Sequence, residues 1–244
     1  MSRLIVVSNR VSVPKARDRV QAGGLAMAIA AALREYRGIW FGWSGNTTPS
    51  YTGQIAMQRS GGVTVALVDL EEADVQEYYN GYANNTLWPL FHYRVDLTAY
   101  NRSYGEGYRR VNARFADTLR PLLEPDDLIW VHDYHLIPLG RELRERGVTS
   151  PIGFFLHIPW PAHQLMATLP QHRQLVEALF AYDLVGFHTQ DWLDAFTAYV
   201  VAEAGGRRLP DGRLGCLGRR IRAPVFPLGI DAEGFVAMSA SNEA

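Results

Sequence analysis

The sequence has a single cysteine, Cys216, among its 244 residues. One thiol cannot form an internal disulfide, and it cannot supply a cysteine-rich metal site. Long apolar runs are also missing. The first apolar run, LIVVS at 4–8, ends at Asn9-Arg10 and is too short for a signal peptide, and no later run approaches the length of a membrane span. The sequence therefore predicts a cytoplasmic protein that does not bind a membrane.

Net charge is equally scarce. The 24 basic and 25 acidic residues leave a formal net charge of −1. This balance offers no general attraction for nucleic acid, so any anion site must be local. Two motifs are also missing: the G-x-G-x-x-G fingerprint of dinucleotide-binding domains and the G-x-S-x-G elbow of hydrolases. We expect no bound cofactor and no hydrolase nucleophile.

The chain does contain four short, continuous apolar runs, each followed by polar residues and then by a helical pattern. The runs are LIVVS (4–8), LIWV (128–131), GFFL (153–156) and LVGF (184–187). Continuous apolar runs are typical of strands buried on both faces, as in a parallel sheet with helices on either side. We predict an α/β fold with a doubly wound, mainly parallel, Rossmann-like sheet.

The remaining segments fit one domain. Helical patterns lie at 23–36, 106–123, 135–147 and 189–206. Asp69-x-x-Glu72 resembles a capping box. Segment 39–68 has three strand-like stretches separated by turn residues, which predicts an inserted β-hairpin or extra edge strands. We assign 1–236 to a single domain and 237–244 to a polar tail.

Polar residues gather where the four predicted strands end. In an open parallel sheet, ligands bind outside the carboxyl ends of the strands. The side chains at this edge would be Arg10, His132, Asp133, His157 and His188. Any one of them alone could be a loop side chain or a buried histidine with satisfied hydrogen bonds. Four strands that end in the same way favour a binding crevice.

A metal site is an alternative use of the same residues. His132, Asp133, His135 and His157 are suitable ligand types. However, HDYH spaces its two histidines by three residues across a strand-to-helix turn, which is not a usual ligand pair. We expect no metal.

A glycine pair provides a second signal. Gly23 and Gly24 precede a predicted helix, and the free N–H groups of a helix N-terminus can hold a phosphate. Many loops carry such a pair, so it is weak by itself.

The aromatic stretch YYNGYANNTLWPLFHY (78–93) provides a third signal, because it does not form a clean amphipathic helix. One interpretation is a small aromatic core built from Tyr78, Phe91 and Tyr93. Aromatic rings with a polar tip also suit sugar faces and phosphate oxygens, so Tyr79 and Trp88 are candidate ligand contacts.

With these residues assembled, the chain resembles the N-terminal part of the trehalose-6-phosphate synthase family of retaining nucleotide-sugar glycosyltransferases. The resemblance runs in the family's order over nearly the whole chain. The matching motifs are RLIVVSNRV, AGGLA, WFGWSG, EYYNGYANNTLWPLFHYR, GYRRVNARFAD, IWVHDYHL, IGFFLHIPWP, DLVGFHT and VFPLGID. It implies the N-terminal half of a two-domain fold. In that family two Rossmann-like domains face each other, the first holding glucose 6-phosphate and the second holding the nucleotide of UDP-glucose.

The resemblance also implies roles for the acceptor site. Arg10 of SNR would bind the acceptor phosphate, with Tyr79 of YYN as its partner. Asp133 of HDYH would accept a hydrogen bond from an acceptor hydroxyl near the reacting oxygen, which makes it the expected catalytic residue. Trp88 of LWP, with Ile158 nearby, would shape the acceptor pocket.

On the donor side, the resemblance implies that Gly23 and Gly24 face the diphosphate through their backbone amides. His157 of LHIPWP would hydrogen-bond the donor glucose. No role follows for His132, His135 or His188.

The chain departs from the family's pattern in two places. Trp160 stands where the family usually has phenylalanine. The basic and acidic residues of the family's C-terminal nucleotide-binding domain are absent from the sequence. The resemblance therefore implies a domain that binds glucose 6-phosphate but does not transfer glucose alone. The alternatives are a non-catalytic sugar-phosphate-binding module and a related transferase with another donor. The sequence leaves a homo-oligomer open.

Overall fold

A seven-stranded sheet forms the centre of the protein. The computed structural model describes residues 2–11, 29, 32–33, 38–60 and 63–227, without the side chain of Ser60. The strands are β1 (Leu4–Arg10), β2 (Gly38–Thr48), β3 (Ala56–Ser60), β4 (Val63–Glu71), β5 (Leu128–His132), β6 (Ile152–Phe155) and β7 (Leu184–Gly186), in the order β3-β4-β2-β1-β5-β6-β7. Neighbouring strands pair in parallel except for antiparallel β3 and β4. The predicted doubly wound, mainly parallel sheet is confirmed.

Segment 39–68 combines a hairpin with a central strand. β3 and β4 form an antiparallel hairpin at one edge of the sheet, as predicted. β2 instead lies between β1 and β4 and is parallel to both. Its side chains Trp40, Phe41 and Trp43 are all buried, which is the pattern of a strand covered on both faces.

The larger core lies between one face of the sheet and most of the described helices. These helices are α1 (Glu72–Asp74), a π-helix (Val75–Leu87), α2 (Trp88–Phe91), α3 (Arg102–Leu119), α4 (Leu139–Glu145), α5 (His163–Met166), α6 (His172–Leu179) and α7 (Gln190–Ala202). The spacing of Tyr108, Val111, Phe115 and Leu119 predicted the apolar face of α3, and all four residues are buried in this core.

A second core lies on the opposite face of the sheet. Leu4 and Val6 of β1 pack there with Val65 and with Leu33 from the described part of the predicted helix at 23–36. Because alternate residues of β1 enter opposite cores, the whole strand is apolar.

The departure at Trp160 creates a buried polar atom. Trp160 is fully buried and packs edge-on against Phe91 and Phe196. Its indole nitrogen has no hydrogen-bond partner in the described part of the chain, whereas a phenylalanine would leave no donor there.

The helix start predicted at 189 is confirmed, whereas the capping box predicted at Asp69 is not. Thr189 caps α7, and its hydroxyl accepts a hydrogen bond from the backbone nitrogen of Trp192. The capping box at Asp69 was wrong, because Asp69 lies inside β4 and its carboxylate accepts a hydrogen bond from Ser44 Oγ (2.5 Å). α1 begins at Glu72 without a side-chain cap.

The segment between β4 and α3 contains a long π-helix. π-helices are rare, are usually single turns, and often occur at functional sites. Here the π-helix extends over 13 residues, Val75–Leu87, and leads directly into α2. Its wider turn explains why 78–93 lacks a clean 3.6-residue apolar period.

Beyond α7 the chain forms a small antiparallel sheet of β8 (Arg207–Arg208), β9 (Leu214–Cys216) and β10 (Arg219–Ile221). Arg222 then forms a parallel bridge with Leu184 of β7, and Val225 forms one with Phe187, the residue after β7. The predicted tail, 237–244, falls outside the described residues. None of the helices in the described part of the chain is both long and apolar enough to cross a membrane.

Candidate functional site

The polar residues predicted at one edge of the sheet do lie there. β1, β5, β6 and β7 are consecutive parallel strands, so their carboxyl ends meet at the same edge. Arg10 and His132 are the last residues of β1 and β5, and His157 and His188 follow β6 and β7 by two residues.

Arg10 projects its guanidinium from this edge. The side chain is exposed, and no carboxylate lies within ion-pair distance of it in the described part of the chain. Its Cζ lies 5.9 Å from the centroid of the Trp43 ring. Gly45, with φ of +94°, leaves the space for the guanidinium, because a Cβ on Gly45 would lie 2.7 Å from Arg10 Nε.

Tyr79 also contacts Trp43. Their rings contact edge-on with centroids 5.6 Å apart, and Tyr79 stacks on His135 at 5.8 Å. Arg10, Trp43, Tyr79 and His135 therefore form a continuous row, which brings the two predicted phosphate ligands to the same region. The adjacent Tyr78 is buried instead.

His135 supports this row from inside the core. It is buried, and neither ring nitrogen has a hydrogen-bond partner in the described structure. Burial lowers the pKa of His135 to about 3, so its imidazole is neutral at pH 7.

Two sets of contacts hold the π-helix that carries Tyr79. Tyr78 Oη donates a hydrogen bond to Asn9 Oδ1 (2.7 Å), which links the π-helix to the residue before Arg10. The fully buried carboxylate of Asp74 accepts hydrogen bonds from Arg110 (2.8 Å) and Arg114 of α3. A buried carboxylate needs such charged donors to offset its desolvation.

Asp133 occupies an unusual backbone position directly after β5. Its φ of 76° and ψ of 166° lie in a region that is essentially restricted to glycine. Strain of this kind costs about 1–3 kcal/mol and is concentrated at functional sites. The carboxylate oxygen Oδ1 accepts hydrogen bonds from the backbone nitrogens of Tyr134 (3.0 Å) and His157 (3.2 Å).

The electrostatic setting of Asp133 affects its ionisation. Desolvation raises the pKa of Asp133 to about 6, against the opposing effect of the two backbone hydrogen bonds. The group is therefore mostly ionised at pH 7, as an incompletely solvated carboxylate that favours a hydroxyl donor.

The turn after Asp133 is fixed by hydrogen bonds that link it to two helices. Tyr134 Oη donates to Asn84 Oδ1 of the π-helix (2.9 Å). Tyr108 Oη of α3 donates to the Tyr134 carbonyl (2.5 Å). The turn, the π-helix and α3 thus hold one another in place.

Three histidines form a row on the other side of Asp133. His132 Nδ1 lies 2.9 Å from His157 Nε2, and the rings of His157 and His188 contact edge-on at 5.5 Å. Burial lowers the pKa of His132 to about 3 and that of His157 to about 4, and neighbouring imidazoles add to both shifts. We conclude that both rings are neutral at pH 7.

A groove of about 770 Å³ extends along the sheet face beside these histidines. Trp130, Gly153, Phe155 and Leu184 contribute to its apolar floor, and His132 and His157 line it. In the described ranges, no group of three or more histidine, cysteine, aspartate or glutamate side chains could hold a metal ion.

The remaining predicted residues are less closely connected. Trp88 is 42% exposed, and its ring stacks on His92 at 4.0 Å rather than on another predicted site residue. Ile158 is half-buried against the larger core. Gly23 and Gly24 lie outside the described residues.

Sequence reasoning missed three residues that shape the site, Trp43, Gly45 and Asn84, and it placed His132 at the edge without assigning it a role. The motif WFGWSG contains Trp43 and Gly45, and a glycine next to a polar strand end was an available signal. No local pattern indicates that His132 meets His157, because their contact depends on the pairing of β5 with β6.

The chain is similar to known glycosyltransferases over nearly its whole length. The family model "Glycosyltransferase family 20" matches residues 2–244. A trehalose-6-phosphate synthase of Sinorhizobium fredii is 48% identical over 237 residues, covering 96% of this chain and 51% of that protein. The chain thus spans about half the length of the curated relatives it matches.

Two solved structures are similar throughout the chain. An α,α-trehalose-phosphate synthase (UDP-forming) from Burkholderia vietnamiensis has a TM-score of 0.93 and 45% identity, covering 100% of this chain and 52% of that one. The corresponding enzyme from Burkholderia xenovorans, in complex with glucose-6-phosphate, has a TM-score of 0.89 and 48% identity, covering 99% and 53%.

Proposed function

The chain belongs to glycosyltransferase family 20, and we propose that it is the acceptor-binding part of a trehalose-6-phosphate synthase. The reaction is transfer of glucose from UDP-glucose to glucose 6-phosphate, which gives α,α-trehalose 6-phosphate and UDP with retention at the donor carbon. The UDP-forming relative and the relative in complex with glucose-6-phosphate support this choice of substrates.

The observation that carries the proposal is the position of Arg10. An exposed guanidinium without a carboxylate partner in the described structure, at the carboxyl edge of a parallel sheet, is suited to a ligand phosphate. Tyr79 contacts Trp43, the ring that also lies beside Arg10, and it is proposed to supply a hydroxyl for the same phosphate.

Asp133 is proposed to accept a hydrogen bond from a hydroxyl of the acceptor sugar. Its Oδ1 is held by two backbone nitrogens, and its backbone occupies a strained position directly after β5. Trp88 and Ile158 are proposed to shape the acceptor pocket, and the exposed face of Trp88 suits contact with a sugar.

The donor side uses different groups. His157 is proposed to hydrogen-bond the donor glucose, and the backbone amides of Gly23 and Gly24 to face the diphosphate. Oriented N–H groups supply partial positive charge to an anion.

No protein nucleophile is needed for this reaction. The bond from the donor carbon to the diphosphate oxygen breaks, and the acceptor oxygen bonds to that carbon on the same face. The departing phosphate oxygen takes the proton of the acceptor hydroxyl. The protein contributes by positioning the two sugars and stabilising charge.

We also propose that residues 1–236 form the acceptor-binding domain and 237–244 a polar tail. A polypeptide of these 244 residues is expected to bind glucose 6-phosphate, to bind UDP-glucose weakly, and to transfer no glucose. The loss of even one oxyanion-type donor typically costs about 10²–10³ in rate, and this sequence does not contain the basic residues of the family's nucleotide-binding domain.

Calorimetric titration tests the proposal. Glucose 6-phosphate should bind to the purified chain more tightly than glucose or inorganic phosphate, because it engages both Arg10 and Asp133. Equal affinity for glucose and glucose 6-phosphate would contradict the phosphate site.

A second assay tests catalysis. Purified chain, free of host enzyme, is incubated with UDP-glucose and glucose 6-phosphate, with the B. vietnamiensis relative as positive control. Product formed by the chain would contradict its expected inactivity. Acceptor binding without any transfer by a longer protein containing this chain would indicate a non-catalytic sugar-phosphate-binding module.

A further inference from the structure

The strongest feature not used by the proposed reaction is His132. It is the last residue of β5 and is 1% exposed, yet it carries a polar ring beside an apolar groove. Its Nδ1 lies 2.9 Å from His157 Nε2, a distance at which one nitrogen must donate a hydrogen to the other. Its other nitrogen, Nε2, is buried and has no partner in the described structure.

The pair can share its hydrogen in two ways. Both imidazoles are neutral at pH 7 because burial lowers their pKa values, so each ring carries one hydrogen. If His157 donates, His132 must carry its hydrogen on Nε2, where a buried N–H would lack an acceptor. If His132 donates from Nδ1, only an unpaired acceptor is left at Nε2.

The second arrangement is the one that avoids an orphaned N–H. Buried N–H groups without a partner are rarer in native structures than under-satisfied acceptors. This arrangement also determines the tautomer of His157. Because His157 accepts the hydrogen bond at Nε2, its neutral ring must carry its hydrogen on Nδ1. The half-buried His157 then offers an N–H donor on the side opposite His132.

We infer that His132 is a positioning residue that donates to His157 Nε2 and thereby holds His157 as an Nδ1–H donor toward the donor sugar. The identity of that sugar rests on the proposed function. Three contacts restrain His157 at once: the His132 hydrogen bond, the edge of His188 at 5.5 Å, and the backbone hydrogen bond to Asp133. Ring orientation and tautomer are therefore set before any ligand arrives.

Nitrogen NMR tests this inference on the chain itself. In protein labelled with ¹⁵N-histidine at pH 7, long-range proton–nitrogen spectra distinguish protonated from bare ring nitrogens. We expect His157 to show a protonated Nδ1 and a bare Nε2, and His132 likewise. A protonated Nε2 on His157 would overturn the inference, and this measurement needs no variant to fold.

A pair of variants separates hydrogen bonding from packing. His132→Phe keeps a ring but removes the donor, so His157 should shift to a mixture of tautomers. His188→Phe, on the opposite side of His157, removes only an edge contact and should leave its tautomer unchanged. An unchanged tautomer in folded His132→Phe would show that His132 does not set it.

The outcome is separable from the proposed function. If the tautomers are as expected but UDP-glucose is not a substrate of a longer protein containing this chain, the positioning role stands and the reaction is wrong. If the longer protein carries out the reaction but His157 is protonated at Nε2, the proposed reaction stands and the positioning role of His132 is wrong.

Discussion

The carboxylate of Asp133 accepts a hydrogen bond from the backbone nitrogen of His157 over 3.2 Å, although the two residues follow different strands. β5 and β6 are parallel neighbours, so this bond joins the two strand ends across the edge of the sheet. The bond places Asp133, which is proposed to bind the acceptor sugar, directly beside His157, which is proposed to bind the donor glucose. Two sugars held by these residues would meet at this edge.

Replacing Asp133 with asparagine should separate its binding role from its structural role. The amide oxygen can still accept from the two backbone nitrogens, but the charge is lost. We expect acceptor affinity to fall about five- to tenfold, since a charge-assisted hydrogen bond is worth roughly twice a neutral one. Calorimetry with glucose 6-phosphate measures this change.

The same variant has a pH signature in stability. The folded pKa of Asp133, about 6, lies above its usual value of 3.8, so its contribution to wild-type stability is lost as pH rises from about 4 to about 6. Asparagine does not ionise, so the Asp133→Asn variant does not lose stability in this way. The stability of the variant relative to wild type should therefore improve as pH rises from about 4 to about 6. Denaturant titrations at pH 4.5 and 7.5 check this, and a uniformly unstable variant would indicate a mainly structural aspartate.

Arg10→Ala should weaken binding of glucose 6-phosphate far more than binding of glucose. A charged hydrogen bond to phosphate contributes on the order of 1.5–3 kcal/mol, which corresponds to about tenfold to a hundredfold in affinity. Arg102→Ala, which removes a highly exposed arginine on α3, is the control. If Arg10→Ala weakens both sugars equally, Arg10 has a structural role.

Gly45→Ala should damage the same site indirectly. The new methyl group would lie 2.7 Å from Arg10 Nε, so the flexible guanidinium must move. Gly147 also has positive φ (+80°) but has nothing within 4 Å of its Cβ position, which makes Gly147→Ala a matched control for backbone strain. Both variants should lose some stability, but only Gly45→Ala should lose affinity for glucose 6-phosphate, measured by calorimetry.

His135→Phe should change how stability depends on pH. Burial lowers the folded pKa of His135 to about 3, against an ordinary value of 6.5. Its contribution to stability is therefore present above pH 6.5 and is lost as pH falls below it. As pH falls from 6.5 to 5, the wild-type protein loses about 2 kcal/mol of unfolding free energy through this group. The His135→Phe variant does not, because phenylalanine does not titrate. Unfolding free energies at pH 7.5 and 5 measure the difference, and parallel curves for the two proteins would show that His135 protonates as easily folded as unfolded.

The strand positions, and the gathering of polar residues at one edge of the sheet, were predictable from local sequence. Residues 4–8, 128–131, 153–156 and 184–187 are almost entirely apolar because both faces of the sheet are covered, and each run ends within two residues of the end of an observed strand. The polar residues after them could be assigned to one edge because parallel strands share an edge. The three- and four-residue spacing of apolar residues in α3 likewise predicted its buried face.

The π-helix was not predictable in the same way. A 3.6-residue period is the signal for a buried helical face, and Val75–Leu87 turns with a different period. What stabilises it is tertiary: buried Asp74 paired with α3, and Tyr78 bonded to Asn9. The sequence pattern alone indicated only an irregular aromatic segment.

The sequence by itself determined the fold class, the edge of the sheet at which polar residues gather and the residue types available there. Only the tertiary structure decided their chemical states. The position of the Arg10 guanidinium depends on the space left by Gly45, and the raised pKa of Asp133 depends on its burial. The inferred tautomer of His157 depends on its hydrogen bond with His132. Local periodicity records which side of an element is buried, whereas these properties arise from groups 24 to 35 positions apart in the chain, brought together by the order of the strands or, for Arg10, by the register of β1 with β2.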